Sequence, residues 1–184
     1  MMAPTNIRSH AFTRTDRVFF DTNIWLRINN PFAPERGEKV RVYSNAYREI
    51  INLDLKIHID VVVLSEYINR LSRMRFDIWK GENPDLGEME FKEYRGTDDF
   101  AEAAETIKLS VNEILMDCKP INTNFSSFNL TRLMDDFGNG KKDFNDLLIV
   151  EDCTKNNLVL VTDDIDFHGM PISILTYNQK LLHS

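Results

Sequence analysis

An α/β domain, three layers deep with a central parallel sheet between helices, is the fold class this sequence predicts, and three observations carry the prediction. Short apolar runs of strand length alternate along the chain with segments of helical periodicity. The runs are apolar throughout, as strands buried on both faces must be. Two of them, Val18-Phe19-Phe20 and Leu158-Val159-Leu160-Val161, lead into acids, Asp21 and Asp163-Asp164. In open α/β sheets, ligand chemistry gathers outside the carboxyl ends of the strands.

The elements follow in order. Residues 1–16 are mostly polar and aperiodic, and are expected to be an arm leading into a strand at 17–20, where the domain of residues 17–184 begins. The Asn29-Asn30-Pro31-Phe32-Ala33-Pro34 stretch has loop chemistry, and a helix is predicted at about 36–53. Lys56-Ile57-His58-Ile59 reads as a short strand and Asp60 as the cap of a helix reaching about Met74, with the β-branched Val61-Val62-Val63 leaving that boundary open. Gly81–Thr97 carries little pattern and is expected to be a loop or lid, the first part of an insertion at about 80–118. From Asp98 to Cys118 the apolar residues Phe100, Ala103, Ala104, Ile107, Val111, Ile114 and Leu115 recur at helical spacing. A strand near 119–122, helices near 127–136 and 143–156, and strands at 158–162 and 172–176 complete a sheet of four or five strands.

With 184 residues, 42% hydrophobic and 28% charged, the chain has the composition of one globular domain. Its net charge of −7 argues against holding nucleic acid by bulk charge, yet is compatible with an enzyme whose acids bind cations. Cys118 and Cys153 have no partner at ligand spacing and read as reduced core residues. There is no signal-type start and no apolar run long enough to span a bilayer, so a cytoplasmic protein without membrane contact is the expectation.

The chemistry rests on separated acids: Asp21 in Phe20-Asp21-Thr22-Asn23, Glu66 in Leu64-Ser65-Glu66, Asp143 and Asp146 in Asp143-Phe144-Asn145-Asp146-Leu147-Leu148-Ile149, and Asp164 in Val161-Thr162-Asp163-Asp164-Ile165-Asp166-Phe167. Carboxylates gathered together repel one another unless protonated or bound to a cation, and Mg²⁺ and Mn²⁺ prefer oxygen ligands. Two such ions can stabilise the attacking and leaving oxygens of a phosphodiester without a covalent nucleophile. His10, His58, His168 and His183 are scattered and form no nucleophilic arrangement.

In order and in strand or helix context these four pieces resemble the PIN-domain nucleases over most of the chain. The resemblance implies a PIN-like fold and makes Asp21, Glu66, Asp146 and Asp164 the catalytic, metal-binding quartet, with Asp143 an additional metal acid. Asn23, Thr162 and Asp166 become supporting residues. It further implies a Mg²⁺- or Mn²⁺-dependent endoribonuclease acting on RNA, and a toxin with an antitoxin-like partner where the VapC-like members are the guide. It is compatible with a homodimer, which no apolar stripe in the sequence demands. The chain is longer than the compact toxin members, and Asp163 stands where a basic or polar residue is common, leaving open which of Asp163 and Asp164 faces the metal. A non-catalytic PIN-fold module binding nucleic acid or protein is the alternative.

Each acid also has an ordinary reading. Asp143 is spaced as a helix cap, Glu66 precedes Arg70 by four residues as in a helical ion pair, Asp21 could start a turn, and Asp166 could brace its loop through backbone bonds. Asp135–Asp146 mimics a calcium loop, but Phe137 stands at its third position. Asn23 replaces the second Asp of a haloacid-dehalogenase phosphatase, and no glycine-rich approach to Glu66 supports a Toprim site. Arg70 and Arg73, on the Glu66 side of their helix, are the candidates for holding substrate phosphates, with Lys141 and Lys142 a smaller patch.

Overall fold

The computed structural model describes residues 3–86, 89–140 and 142–183. Its strands are β1 (Thr5–Asn6), β2 (Val18–Phe20), β3 (Ile57–Ile59), β4 (Cys118–Pro120), β5 (Val159–Val161) and β6 (Ile174–Thr176). The helices are α1 (Thr22–Ile28), α2 (Glu38–Asn52), α3 (Val61–Glu82), α4 (Phe91–Tyr94), α5 (Asp98–Asp117), α6 (Leu130–Gly138), α7 (Phe144–Asn156) and α8 (Gln179–Leu182). The strands form one sheet in the order β1-β6-β5-β2-β3-β4, and every pairing is parallel.

Among the described residues the sheet has six strands where four or five are predicted, because the stretch expected as an arm supplies one of them. Thr5 and Asn6 pair with Leu175 and Thr176 of β6, and Ile7 and Phe12 behind them are buried. A two-residue strand at an edge has no periodicity to read; its pairing is set by the far end of the chain. At the opposite edge β4 presents Lys119 and Pro120, residues that discourage further strand addition.

Burial explains the apolar runs. Val18, Phe19 and Phe20 of β2 are all buried, with Phe20 stacked at 5.2 Å on Trp25 of α1. His58 of β3 is buried as well, its Nδ1 3.2 Å from the carbonyl of Val18, and burial lowers its pKa. It is a neutral packing residue. In α7 every residue from Leu147 to Cys153 is buried, so that helix lies inside the domain rather than on it. Cys118 and Cys153 are buried free thiols, as expected.

The 81–97 segment, expected as a loop or lid, is largely folded where it is described. Asp60 caps α3 by accepting from Val63 N at 2.7 Å, and the helix continues to Glu82, past the expected end at Met74. Its last turns carry Phe76 and Trp79, which pack with Phe91 and Tyr94 of α4 and Phe100 of α5 into an aromatic satellite cluster in which Tyr94 is fully buried. Arg75 pairs with Asp99 beneath it, and Tyr94 donates to the same carboxylate at 2.5 Å. Gly87 and Glu88 of this segment lie outside the described residues.

The chain leaves β2 outward through β3 to β4, then returns to the other side of β2 as β5. The order therefore reverses between β2 and β5, the kind of switch point at which open α/β sheets bind ligands. The carboxyl ends of β2 and β5 are where Asp21 and Thr162-Asp163-Asp164 begin.

Candidate metal centre

Register brings the two acidic strand ends together. Phe20 pairs with Val161 and Asp21 N donates to Val161 O at 3.1 Å, so Asp21 stands beside Thr162. The Thr162 hydroxyl donates to Asp21 Oδ2 at 2.7 Å and accepts from Asp164 N at 3.0 Å. Asn23 donates to both Asp21 Oδ2 and Thr162 Oγ1, and its Oδ1 accepts from Asp163 N at 3.1 Å. Asp21 Oδ1 accepts from Thr22 N at 2.6 Å and caps α1. Asn23 and Thr162 thus tie the two strand ends to each other.

The helices supply the other acids. Glu66 lies in the second turn of α3, where Thr22 Oγ1 donates to Oε2 at 3.0 Å and Arg70 pairs with Oε1 at 3.3 Å. Asp146 lies in the first turn of α7, half-buried, with no hydrogen bond to its side chain among the described residues. Asp143 caps α7 by accepting from Asn145 N at 2.8 Å and is exposed. The ordinary reading of Asp143 is realised, and its charge still acts on Asp146.

These acids act on one another electrostatically. Burial, with the charges of Glu66 and Asp164 adding to it, pushes the Asp21 carboxyl up to about 7, against the pull of its hydrogen bonds to Thr162 and Thr22. Burial also raises Asp146 to about 7, followed by the charges of Asp21, Asp164, Asp143 and Asp166. Asp21, Glu66, Asp146 and Asp164 therefore form one mutually repelling group, with Asp143 and Asp166 at its margin. Among the described residues no three acidic, histidine or cysteine side chains already form a closed coordination group. The donor set is nevertheless all oxygen and negatively charged, and it fits a hard divalent cation.

The adjacent pair separates cleanly. Asp163 turns away from the acids: its Oδ2 meets Arg27 at 3.0 Å and Lys39 at 2.7 Å, and Tyr43 donates to its Oδ1 at 2.9 Å. Asp164 is the member whose charge reaches Asp21 and Asp146. It also caps the turn at Ile165–Phe167 by accepting from Asp166 N at 2.9 Å. Asp166 is exposed, and its carbonyl receives Lys142, which also donates to His168 O at 3.2 Å; the loop is braced through backbone bonds. Lys142 is thereby committed to the loop, and Lys141 lies outside the described residues.

The expected phosphate-holding arginines fare differently. Arg70 stays beside Glu66 as its helical ion pair. Arg73 lies about 10 Å beyond Glu66 along α3, with its guanidinium 4.8 Å from the Phe91 ring centroid, in the satellite cluster.

Sequence reasoning missed three features. Thr22, between the two residues singled out, carries the hydroxyl that ties Glu66 to the β2 end. Arg27, Lys39 and Tyr43, which hold Asp163, are scattered in sequence, though two consecutive acids at a strand end are themselves a signal that one needs cations. Asp60 and Asp152 form a buried acidic pair behind the site, in which burial raises Asp60 to about 6 with the Asp152 charge adding to it. Thr123 donates to Asp152 at 2.6 Å.

A family model described as PIN domain matches residues 18–172 of the chain. No curated protein and no solved structure matches it.

Proposed function

Because the chain belongs to the PIN-domain family, whose members are generally nucleases, we propose that it is a Mg²⁺- or Mn²⁺-dependent endoribonuclease. The observation that carries the reading is the convergence of Asp21, Asp146, Asp164 and Glu66 at the sheet's switch point, with two of the carboxyls pushed up to about 7 by burial and mutual repulsion. Asp21, Asp146 and Asp164 would hold the principal ion, with Asp143 beside them, and Glu66 a second ion or the attacking water. Bound there, Mg²⁺ or Mn²⁺ supplies Lewis-acid stabilisation of the charge that develops on the phosphate.

The chain's own groups account for the rest of the reaction. Thr162 and Asn23 fix the Asp21 carboxylate, so that no reorganisation is needed when charge develops. Glu66, anchored on one oxygen by Thr22, keeps the other near solvent to take a proton from the attacking water, while Arg70 limits its repulsion of the incoming phosphate. Where the toxin members of the family are the guide, the biological role is the toxin half of a toxin–antitoxin pair, tested by growth arrest on expression and rescue by the product of a neighbouring gene.

Purified protein incubated with labelled RNA should cleave it with Mn²⁺, and lose cleavage with chelator or with Asp21→Asn. One observation favours a second reading, a non-catalytic PIN-fold module: no closed coordination group is formed among the described residues. No metal-dependent cleavage across RNA and DNA substrates, together with no Mn²⁺-induced rise in melting temperature, would favour it.

A further inference from the structure

The cations that hold Asp163 open onto a groove. It has a volume of 570 Å³ and is lined by Arg27, Arg36, Lys39, Tyr177 and Lys180, with Glu38 its acidic member. Gly37, at φ 128°, a value only glycine adopts without strain, turns the chain between Arg36 and Glu38, and the residues from Glu38 to Val40 form one wall. The start of α8 forms the other. Glu35 and Asp163 neutralise Arg27 and Lys39, and Glu38 pairs with Arg8 at 3.1 Å. Arg36 and Lys180 are exposed and have no ion pair among the described residues. On a chain of net charge −7, two uncompensated cations facing one groove mark a place for an anion.

The groove is built onto the acidic site. Asp163 and Asp164 are neighbours on extended backbone, so their side chains project to opposite sides, one to the cations and one to the acids. Asn178 donates to Asp163 O at 2.7 Å and Tyr177 N donates to Tyr43 Oη at 2.9 Å, which locks the α8 wall to the same strand end. Tyr177 offers an aromatic ring already stacked by the Arg8 guanidinium at 5.1 Å, an amphipathic platform of the kind on which unpaired bases stack.

We propose that this groove binds the sugar-phosphate backbone of a single-stranded nucleic acid next to the phosphodiester presented to the acids, with Arg36 and Lys180 as phosphate contacts and Tyr177 as a stacking surface. That the bound strand is then cleaved rests on the nuclease reading above; the binding itself does not.

The test is fluorescence anisotropy in EDTA, which prevents turnover, with a short single-stranded RNA and a DNA of the same sequence. It compares wild type, the double variant R36A/K180A, and the charge-matched control K92A/K108A on the far helices, all checked by thermal melting. Two lost contacts at about 0.7 counterions each should flatten the log Kd against log salt slope by about 1.4, and weaken binding roughly 25-fold at 0.1 M salt. The RNA and DNA arms identify the strand preferred. With Mn²⁺ the double variant should raise KM and leave kcat unchanged. Unchanged affinity and slope in R36A/K180A, an equal loss in the control, no strand binding by wild type, or displacement of the strand by polyglutamate as readily as by RNA would each overturn the groove. Cleavage with an unaltered KM would sink the groove and leave the nuclease reading standing. Groove-dependent binding without cleavage would do the reverse.

Discussion

Neutralising Asp146 should make the metal-free protein more stable. Its carboxyl accepts no hydrogen bond among the described residues, so Asp146→Asn changes charge and little else. Burial and four neighbouring acids raise its pKa from 3.8 to about 7, a difference of about 4 kcal/mol between charged and neutral forms. The folded value is raised, so the stability linked to this group is fully present below the unfolded pKa and is lost as pH rises through about 7. Asp146 is half-buried, and halving the penalty for solvent screening leaves about 2 kcal/mol. For a chain of this size that is a melting temperature roughly 4–8 °C higher for Asp146→Asn at about pH 8 in EDTA. At about pH 5 the folded Asp146 carboxyl is already neutral while the unfolded one is still charged, so the difference should shrink to roughly 40% of its pH 8 value, and it vanishes only below the unfolded pKa of 3.8. With excess Mn²⁺ the order should invert, since only wild type gains binding free energy from the ion. Differential scanning calorimetry of both proteins at the two pH values, with EDTA and with Mn²⁺, reads all three effects. A variant that melts lower than wild type at about pH 8 in EDTA would refute the reasoning, because Asp146 would then be a structural anchor.

Other outcomes follow from the same network. Thr162→Val removes a donor to Asp21 and leaves Asp164 N without its acceptor, so urea unfolding should show a loss of about 1–3 kcal/mol. Asp163→Asn and Asp164→Asn should part ways in a Mn²⁺ thermal-shift titration, with the ion's effect kept in the first and lost in the second; the opposite pattern would reassign the pair. Asp60→Asn should flatten the wild-type loss of stability as pH rises through about 6, because the raised carboxyl is what releases its proton there, and the amide can still cap Val63 N. Phe19→Ala, in a fully buried strand position, should cost about 3–5 kcal/mol in the same unfolding assay.

Much of this was legible because the relevant signals are local. An apolar run ending in an acid identifies a buried strand and its carboxyl end, which is why β2 and β5, with Asp21 after the one and the Asp163-Asp164 pair after the other, could be read directly. The cap at Asp60 was readable for the same reason. What escaped depends on distant parts of the chain. β1 exists through its pairing with β6, at the other terminus. Asp163 is held by Arg27, Lys39 and Tyr43, far away in sequence. The 81–97 segment folds because Phe91 and Tyr94 meet Phe76 and Trp79 one helix earlier, a spacing visible only once α3 is known to run to Glu82.

The central claim is that the acids at the switch point hold a divalent ion. The measurement that meets it most directly is an anomalous difference map from crystals soaked in Mn²⁺. The account predicts a peak within coordination distance of the Asp21 and Asp164 carboxylates, with Asp146 turned toward it and Asp163 still paired with Arg27 and Lys39. Crystals at the same Mn²⁺ concentration with no peak there, or with a peak held by other residues, would contradict it.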